Sequence, residues 1–284
     1  MLTLAIQKKG RLSTKSMELL EKCGIHFKST GQGKLTTAST NFPVEILFLR
    51  DDDIPACVED GIADIGIVGD NEVMETGADL EMVLPLGFGK CRLSLAIPKA
   101  EEYKDISSLS GKRIATSYGG ILDKYLKEAG VDAEIHNISG SVEIAPGINM
   151  ADAIFDIVST GSTLISNGLK EVDTLVRSQA SLYCNKDLDE EKRTLIDKII
   201  FRINSVRTAK DYKYILLNVC NDKLDTVCEI LPGMKSPTIM PLGESGWSSV
   251  HSVIKEDKFW DVIEQLKDAG AESLLVTDIE QMIL

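Results

Sequence analysis

Through residue 208 the chain alternates short apolar runs with stretches whose apolar positions recur every three or four residues, the pattern of strands each followed by a helix. Residues 2–6 read as a strand and Lys8-Lys9-Gly10-Arg11 as a basic turn. Ser13 reads as the cap of a helix that carries Met17, Leu20 and Cys23 and stops at Gly24. Residues 112–116 repeat the arrangement, with a turn at Gly119-Gly120 and a helix through Leu122, Tyr125 and Leu126 that ends at Gly130. A second echo joins residues 61–69 to residues 149–158. Each is a helix, a small-Ala-Asp lead-in, an apolar strand and a ligand-sized loop. Strand–helix units recurring in the same order predict two similar α/β lobes, each on a mainly parallel sheet. Gly87 to Cys91 reads as the crossing between lobes, with the return near Ser178 to Leu182. A helix from Leu188 to about Val206 then carries Leu195, Ile196, Ile199 and Ile203 on one stripe.

After Tyr212 the order changes. Residues 214–219 read as a strand, 223–231 as a helix closed by Pro232-Gly233, and 238–242 and 248–254 as strands. Residues 258–269 read as a helix closed by Gly270, and 272–276 as a last strand. That order, βαββαβ, is the ferredoxin-like unit. The predicted division is residues 1–89 with 180–208 as one lobe, 90–179 as the second, and 209–284 as a separate small domain. The last carries no reactive constellation, so ligand sensing is its expected role.

Ligands of open α/β sheets lie off the carboxyl ends of the strands. The loops so placed are residues 8–11, 50–53, 69–71 (with Asp70), 117–120 and 159–163. The last is the richest in chemistry. In the strand before it, period-2 alternation puts Asp152, Ile154, Asp156 and Val158 on one face, so both carboxylates point the same way. Ser159-Thr160-Gly161-Ser162-Thr163 then supplies hydroxyls, backbone N–H groups and a glycine that lets the backbone approach an anion. Leu164 can open a helix whose first amides face the same ligand. Carboxylates followed by such a loop suit a phosphorylated sugar, the acids on ribose hydroxyls and the loop on the 5′-phosphate. The same residues also suit a plain capped strand-to-helix connection. Lys9, Arg11, Arg50 and Arg92 stand beside strand ends as phosphate clamps. Glu143 is a candidate for positioning the sugar, and Tyr118 for stacking on a purine. Asp51 to Asp53, ahead of Ile54-Pro55, read as a helix cap.

Composition narrows the class. The chain has 284 residues, enough for two or three domains, and no apolar run long enough for a membrane span. It starts with a strand and without a charged-then-apolar leader, so a cytoplasmic location is expected. Six cysteines lie scattered without a C-x-x-C pair, which favours reduced thiols over disulfides or zinc. The three histidines, His26, His136 and His251, are far apart and read as structural. A net charge of −13 argues against a nucleic-acid surface and requires local basic groups or metal to overcome the global field at any polyphosphate site.

The run Glu143-Ile-Ala-Pro146, residues 151–164 and Asn167-Gly-Leu169 together resemble the signature of the ATP phosphoribosyltransferases, from which Gly147 and Asn149 depart. The resemblance extends over nearly the whole chain. It includes Gln7 to Ser13, Arg50 to Pro55, Cys91 to Leu95 and Gly111 to Tyr118. Ser236-Pro-Thr-Ile239 and Pro241-Leu242 resemble the long form, which has a regulatory domain. The resemblance implies a two-lobed core built like the periplasmic binding proteins. It implies attack of N1 of the adenine of ATP on C1 of phosphoribosyl pyrophosphate, with loss of pyrophosphate. Mg²⁺ would be carried on the substrates rather than in a protein cage, and the enzyme would be a homo-oligomer, a dimer or hexamer. It further implies inhibition by histidine, with Met234, Thr238, Val253 and Ser273 matching positions around the family's effector site and Asn218 as a polar contact that departs from the acidic residue of some relatives. A two-lobed binding module for a phosphorylated solute and a phosphoribosyltransferase with another acceptor are the alternatives.

Overall fold

The computed structural model describes residues 1–28, 34–231, 233–234 and 236–284. The chain begins with β1 (Leu2–Gln7), α1 (Arg11–Lys22), β2 (Thr36–Ala38) and β3 (Val44–Leu49). It continues through α2 (Ile54–Glu59), β4 (Ile65–Gly69), α3 (Asp70–Thr76) and β5 (Glu81–Pro85). A second run holds β6 (Cys91–Pro98), β7 (Arg113–Thr116), α4 (Gly119–Ala129), β8 (Glu134–Asn137), β9 (Ala153–Val158), α5 (Ser162–Ser166) and β10 (Leu169–Ser178). β11 (Ala180–Cys184) and α6 (Glu190–Lys210) follow. The last elements are β12 (Tyr212–Cys220), α7 (Leu224–Ile230), β13 (Thr238–Pro241), β14 (Trp247–Lys255), α8 (Phe259–Asp268) and β15 (Glu272–Asp278). Among the described residues, no helix is long and apolar enough to cross a membrane.

The first sheet has the order β2-β3-β1-β4-β11-β5 and the second β10-β6-β9-β7-β8. Each contains the same trio, a first strand flanked in parallel by two later ones: β3-β1-β4 in one lobe, β8-β7-β9 in the other. Each trio is closed by an antiparallel strand, β11 on β4 and β6 on β9. This is the recurrence seen in the sequence. The sheets are mixed rather than mainly parallel, because the strands on which the chain crosses over and returns run against the trio. The central strands are apolar on both faces, as burial on both sides requires: Leu4, Ala5, Ile6, Ile65, Ile67 and Val68 are all sealed from solvent. β9 departs from this at Asp156, which is only partly covered.

Three local expectations change. α1 begins at Arg11, so Ser13 lies inside the helix, buried rather than at its cap. Residues 51–53 do not cap α2 through side chains: Asp53 makes no cap bond, Asp51 accepts from Gln7 Nε2 at 2.9 Å, and Asp52 from Arg50 at 2.7 Å. The lead-in to β9 is not an α-helix but two short 3-10 turns, Val142–Ile144 and Pro146–Ile148.

The chain divides into two compact units, Met1–Glu18 with Ile25–Leu195, and Leu19–Gly24 with Ile196–Leu284. In the second unit the βαββαβ segment forms a four-stranded antiparallel sheet in the order β13-β14-β12-β15, which is the ferredoxin-like arrangement. Its core joins Ile215, Leu217, Val219, Val250 and Ile254 on one face of the sheet to Val227 and Leu266 of the helices. The helix stop expected at Pro232 lies outside the described residues.

Candidate active site

Because the trios are parallel, the carboxyl ends of β3, β4, β7 and β8 open onto one cleft of about 610 Å³. Arg50, Asp51, Asp52, Glu72 and Glu75 line one side, and residues 116–120 and 137–140 the other. The first wall is acidic. Burial, reinforced by Asp51, Asp52 and Glu75, pushes the Glu72 carboxyl up to about 6, although the Tyr118 hydroxyl donates to it at 3.0 Å. Neither Glu72 nor Glu75 was singled out by sequence reasoning, since each resembles a solvated helix charge until the lobes are placed together.

The loop of residues 159–163 leaves β9 on the same edge of the second sheet. Gly161 turns it with φ +80, a left-handed conformation that a side chain would strain, and α5 begins at Ser162. Thr160 Oγ1 and Ser162 Oγ lie 3.0 Å apart, and Ser159, Thr160, Ser162 and Thr163 are exposed. The loop therefore presents its hydroxyls to solvent at the N-terminal end of α5.

Asp156 and Asp152 part company. Asp156 sits near the loop end of β9, accepts from the Ile157 N–H at 2.8 Å, and is pushed up to about 6 by burial, with the negative Glu143 adding to the rise. Asp152 precedes β9 at the opposite end. It accepts from the Arg113 backbone N–H at 2.9 Å and from Nη2 at 2.9 Å, and the guanidinium holds it down at about 2. Alternation fixed a common face but not a common neighbourhood: four residues of strand span about 13 Å. The expectation that both carboxylates meet one sugar is corrected, and Asp152 is an ion-pair partner at the base of the strand.

Arg92 is also not a free clamp. Its Nε donates to Glu171 Oε1 at 2.5 Å and its Nη2 to Oε2 at 2.6 Å, while Nη1 donates to the Ser159 carbonyl at 3.0 Å. Tyr118, expected to stack on a purine, is buried among Ile114, Ile121, Leu122 and Phe155, with its hydroxyl on Glu72. Asp70 is buried as well, accepting from the Tyr183 hydroxyl at 2.8 Å and the Gln179 N–H at 3.3 Å. It ties α3 to β11 and does not line the cleft. Lys9 and Arg11 are exposed at the carboxyl end of β1, beside Arg50 after β3. Among the described residues, no three His, Cys, Asp or Glu side chains gather as a metal cage.

A sequence model of the family described as "ATP phosphoribosyltransferase" matches residues 50–205, and one described as "HisG, C-terminal domain" matches residues 209–281. The ATP phosphoribosyltransferase of Bacteroides fragilis is 56% identical over 284 residues, covering 100% of both chains. That of Cytophaga hutchinsonii is 56% identical over 282 residues, covering 99% of this chain and 98% of its own. The chain belongs to the ATP phosphoribosyltransferase family.

It is thus a transferase of histidine biosynthesis, an enzyme that moves a pentosyl group. Among solved structures, the ATP phosphoribosyl transferase (HisG:HisZ) complex from Thermotoga maritima is 29% identical with a TM-score of 0.62, covering 72% of this chain and 99% of that one. Tv2483 bound to L-arginine is 12% identical with a TM-score of 0.51, covering 74% of this chain and 86% of that one, a likeness of fold alone. The core has the two-lobed, periplasmic-binding-protein-like plan.

In the C-terminal unit, the five residues expected at an effector site lie in two sets. Thr238 opposes His251 on β13 and β14, and Val253 lies two residues further along β14. Met234, exposed, precedes β13. Asn218 opposes Ser249 and Glu272, and Ser273, with φ 50, follows Glu272 on β15. Two strand spacings, about 10 Å, separate Thr238 from Asn218.

Proposed function

We propose that this transferase joins C1 of phosphoribosyl pyrophosphate to N1 of the adenine of ATP and releases pyrophosphate. The observation that carries the reading is the outward-facing loop of residues 159–163 one strand-end away from Asp156. The loop amides and hydroxyls take the 5′-phosphate, and Asp156 faces the ribose. As the C1–O bond to pyrophosphate breaks, positive charge grows on the sugar, and a carboxylate held in a partly desolvated place stabilises it more than water would. Glu143, close enough to raise Asp156, sits on the same side and orients the ring hydroxyls. N1 of adenine carries a lone pair at neutral pH, so the nucleophile needs no base. Alignment of the two substrates supplies much of the rate.

Phosphate charge is met by the loop and by Lys9, Arg11 and Arg50, while Glu72 in the acidic wall suits hydroxyl and amine donors of the substrates. Mg²⁺ enters as the magnesium complex of the substrate polyphosphates. In this reading catalysis belongs to the two lobes, residues 1–89 with 180–208 and residues 90–179, and not to residues 209–284. The last serves as a histidine sensor in a cytoplasmic homo-oligomer. The test is direct: ATP, phosphoribosyl pyrophosphate and Mg²⁺ are mixed with the enzyme, and pyrophosphate and a phosphoribosyl-ATP chromophore are followed together. Binding of the sugar phosphate without either product would leave a binding module in place of a catalyst.

A further inference from the structure

Behind the loop of residues 159–163 lies a pair of side chains to which the proposed chemistry gives no part. The geometry points to Glu171 as a positioning residue that acts through Arg92 to fix the loop. This rests on the reading of the loop as the phosphate site. Arg92 grips Glu171 with two N–H groups and the Ser159 carbonyl with a third. Ser159 is the first residue of the loop, so holding its carbonyl sets the direction in which Thr160 and Gly161 leave the sheet. Glu171 Oε1 is held further: Ser94 Oγ donates to it at 2.7 Å, and Thr174 Oγ1 donates to the same oxygen at 3.2 Å. A bidentate Arg–carboxylate pair locked by two hydroxyls is the kind of network that keeps one geometry, unlike a lone surface ion pair.

The backbone is built for this contact. Residues 171 and 174 are three apart, and in a regular strand they point to opposite faces. β10 carries a register shift between Glu171 and Asp173 and another between Thr174 and Val176. The first turns Thr174 back onto the face of Glu171, where both meet Ser94, and the second restores the ladder. Bulges of this kind re-aim side chains next to functional sites. Ser94 also opposes Asp156 on β9, yet its proton goes to Glu171. The brace thus runs beside the sugar carboxylate without neutralising it.

The test compares the parent enzyme with Glu171→Gln, which keeps the shape and removes the charge. Hydrogen exchange at the amides of residues 160–164, measured without substrate, reads the loop itself. Faster exchange confined to those amides is expected. The KM for phosphoribosyl pyrophosphate should rise by roughly tenfold, while that for ATP stays within about twofold. Glu171→Gln combined with Arg92→Lys should lose no more than Arg92→Lys alone, since both changes break one chain of contacts. Thr174→Val, a milder cut at the same carboxylate, should show the same pattern at smaller amplitude, and it stands in if Glu171→Gln folds poorly. Unchanged loop exchange, or losses that add in the double variant, would overturn the inference. Faster exchange with an unchanged sugar-phosphate KM supports the brace and overturns the phosphate reading of the loop instead.

Discussion

Glu75 accepts the backbone N–H of Gly120 at 2.8 Å, and its second carboxylate oxygen takes the N–H of Ile121 at 2.9 Å. A helix of the first lobe therefore caps the first turn of a helix in the second, where negative charge is favoured by the helix dipole. Glu75→Gln should lower stability by about 0.5–2 kcal/mol, the usual weight of a cap. Gly120→Ala should also destabilise, although alanine normally gains about 1 kcal/mol over glycine inside a helix. The added Cβ would lie 2.9 Å from the Glu75 carbonyl oxygen. Urea midpoints decide both. A Gly120→Ala variant more stable than the parent would mean the lobes do not hold this approach in solution.

Asp156 gives a prediction with a sign. Its folded pKa of about 6 lies above the ordinary carboxyl value because burial disfavours the charge. The folded chain then binds more protons than the unfolded one between about pH 4 and pH 6, so stability falls as pH rises through that window and stays lower above it. Asp156→Asn should be more stable than the parent at pH 8 by about 1–3 kcal/mol, with the gain fading below about pH 4. The same variant should lose kcat and kcat/KM together if the carboxylate acts on the transition state. A site that costs stability and supports activity is the expected trade. Unaltered kcat would reduce Asp156 to a shaper of the loop.

β9 and the turn after it are legible because both belong to one local run, where period and composition suffice. What the sequence hid depends on pairs distant along the chain. Arg113 reaches Asp152 across 39 residues, and Arg92 meets Glu171 across 79. β10 itself went unread, since Leu-Lys-Glu-Val-Asp-Thr-Leu-Val-Arg-Ser lacks clean alternation, and its two register shifts explain why. Tyr118 looked like a loop aromatic because the sequence does not show that α4 starts at Gly119 and draws the ring into the core. The C-terminal unit was legible in element order because its strands and helices each keep their own period.

Thr163→Val should separate the two carboxylates' neighbourhoods. Loss of a hydroxyl that meets a phosphate costs about 1.5–3 kcal/mol, read as a higher KM for phosphoribosyl pyrophosphate with the ATP value little moved. Asp152→Ala serves as the contrast. It breaks the ion pair with Arg113, whose side chains are 38% and 35% exposed, so solvent screening keeps the stability loss near 1 kcal/mol. The Asp152 contribution is present above the ordinary carboxyl pKa and is lost as pH falls toward about 2. Its sugar-phosphate KM should match the parent. Equal KM values for Thr163→Val and parent would remove the loop from the site.

The last prediction concerns histidine. Thr238 on β13 stands two strands away from Asn218 on β12, and Val253, on the strand between, pairs with Tyr214 four residues along β12 from Asn218; these residues share the face of the sheet opposite α7 and α8, which also carries Leu216 and His251. One amino acid does not span both sets within a single domain. If all five residues serve one effector, the Thr238 set of one copy must meet the Asn218 set of another, which a closed symmetric assembly supplies without further design. Truncation is a poor test here, because α6 runs on to Lys210 and buries Val206 and Ala209, so a cut after Arg207 breaks a helix. Point substitutions avoid this. Thr238→Val and Asn218→Leu should each abolish histidine inhibition and leave kcat without histidine unchanged. Mixing the two inactive-sensor variants under conditions that exchange subunits should then restore part of the inhibition. Some interfaces in the mixture pair an intact Thr238 set with an intact Asn218 set. Coupling between effector and substrate sites of about 1–3 kcal/mol would make the restored inhibition measurable in a histidine titration. No restoration, with exchange confirmed by mass, would confine the effector to one copy and require that one of the two sets plays no part in binding it.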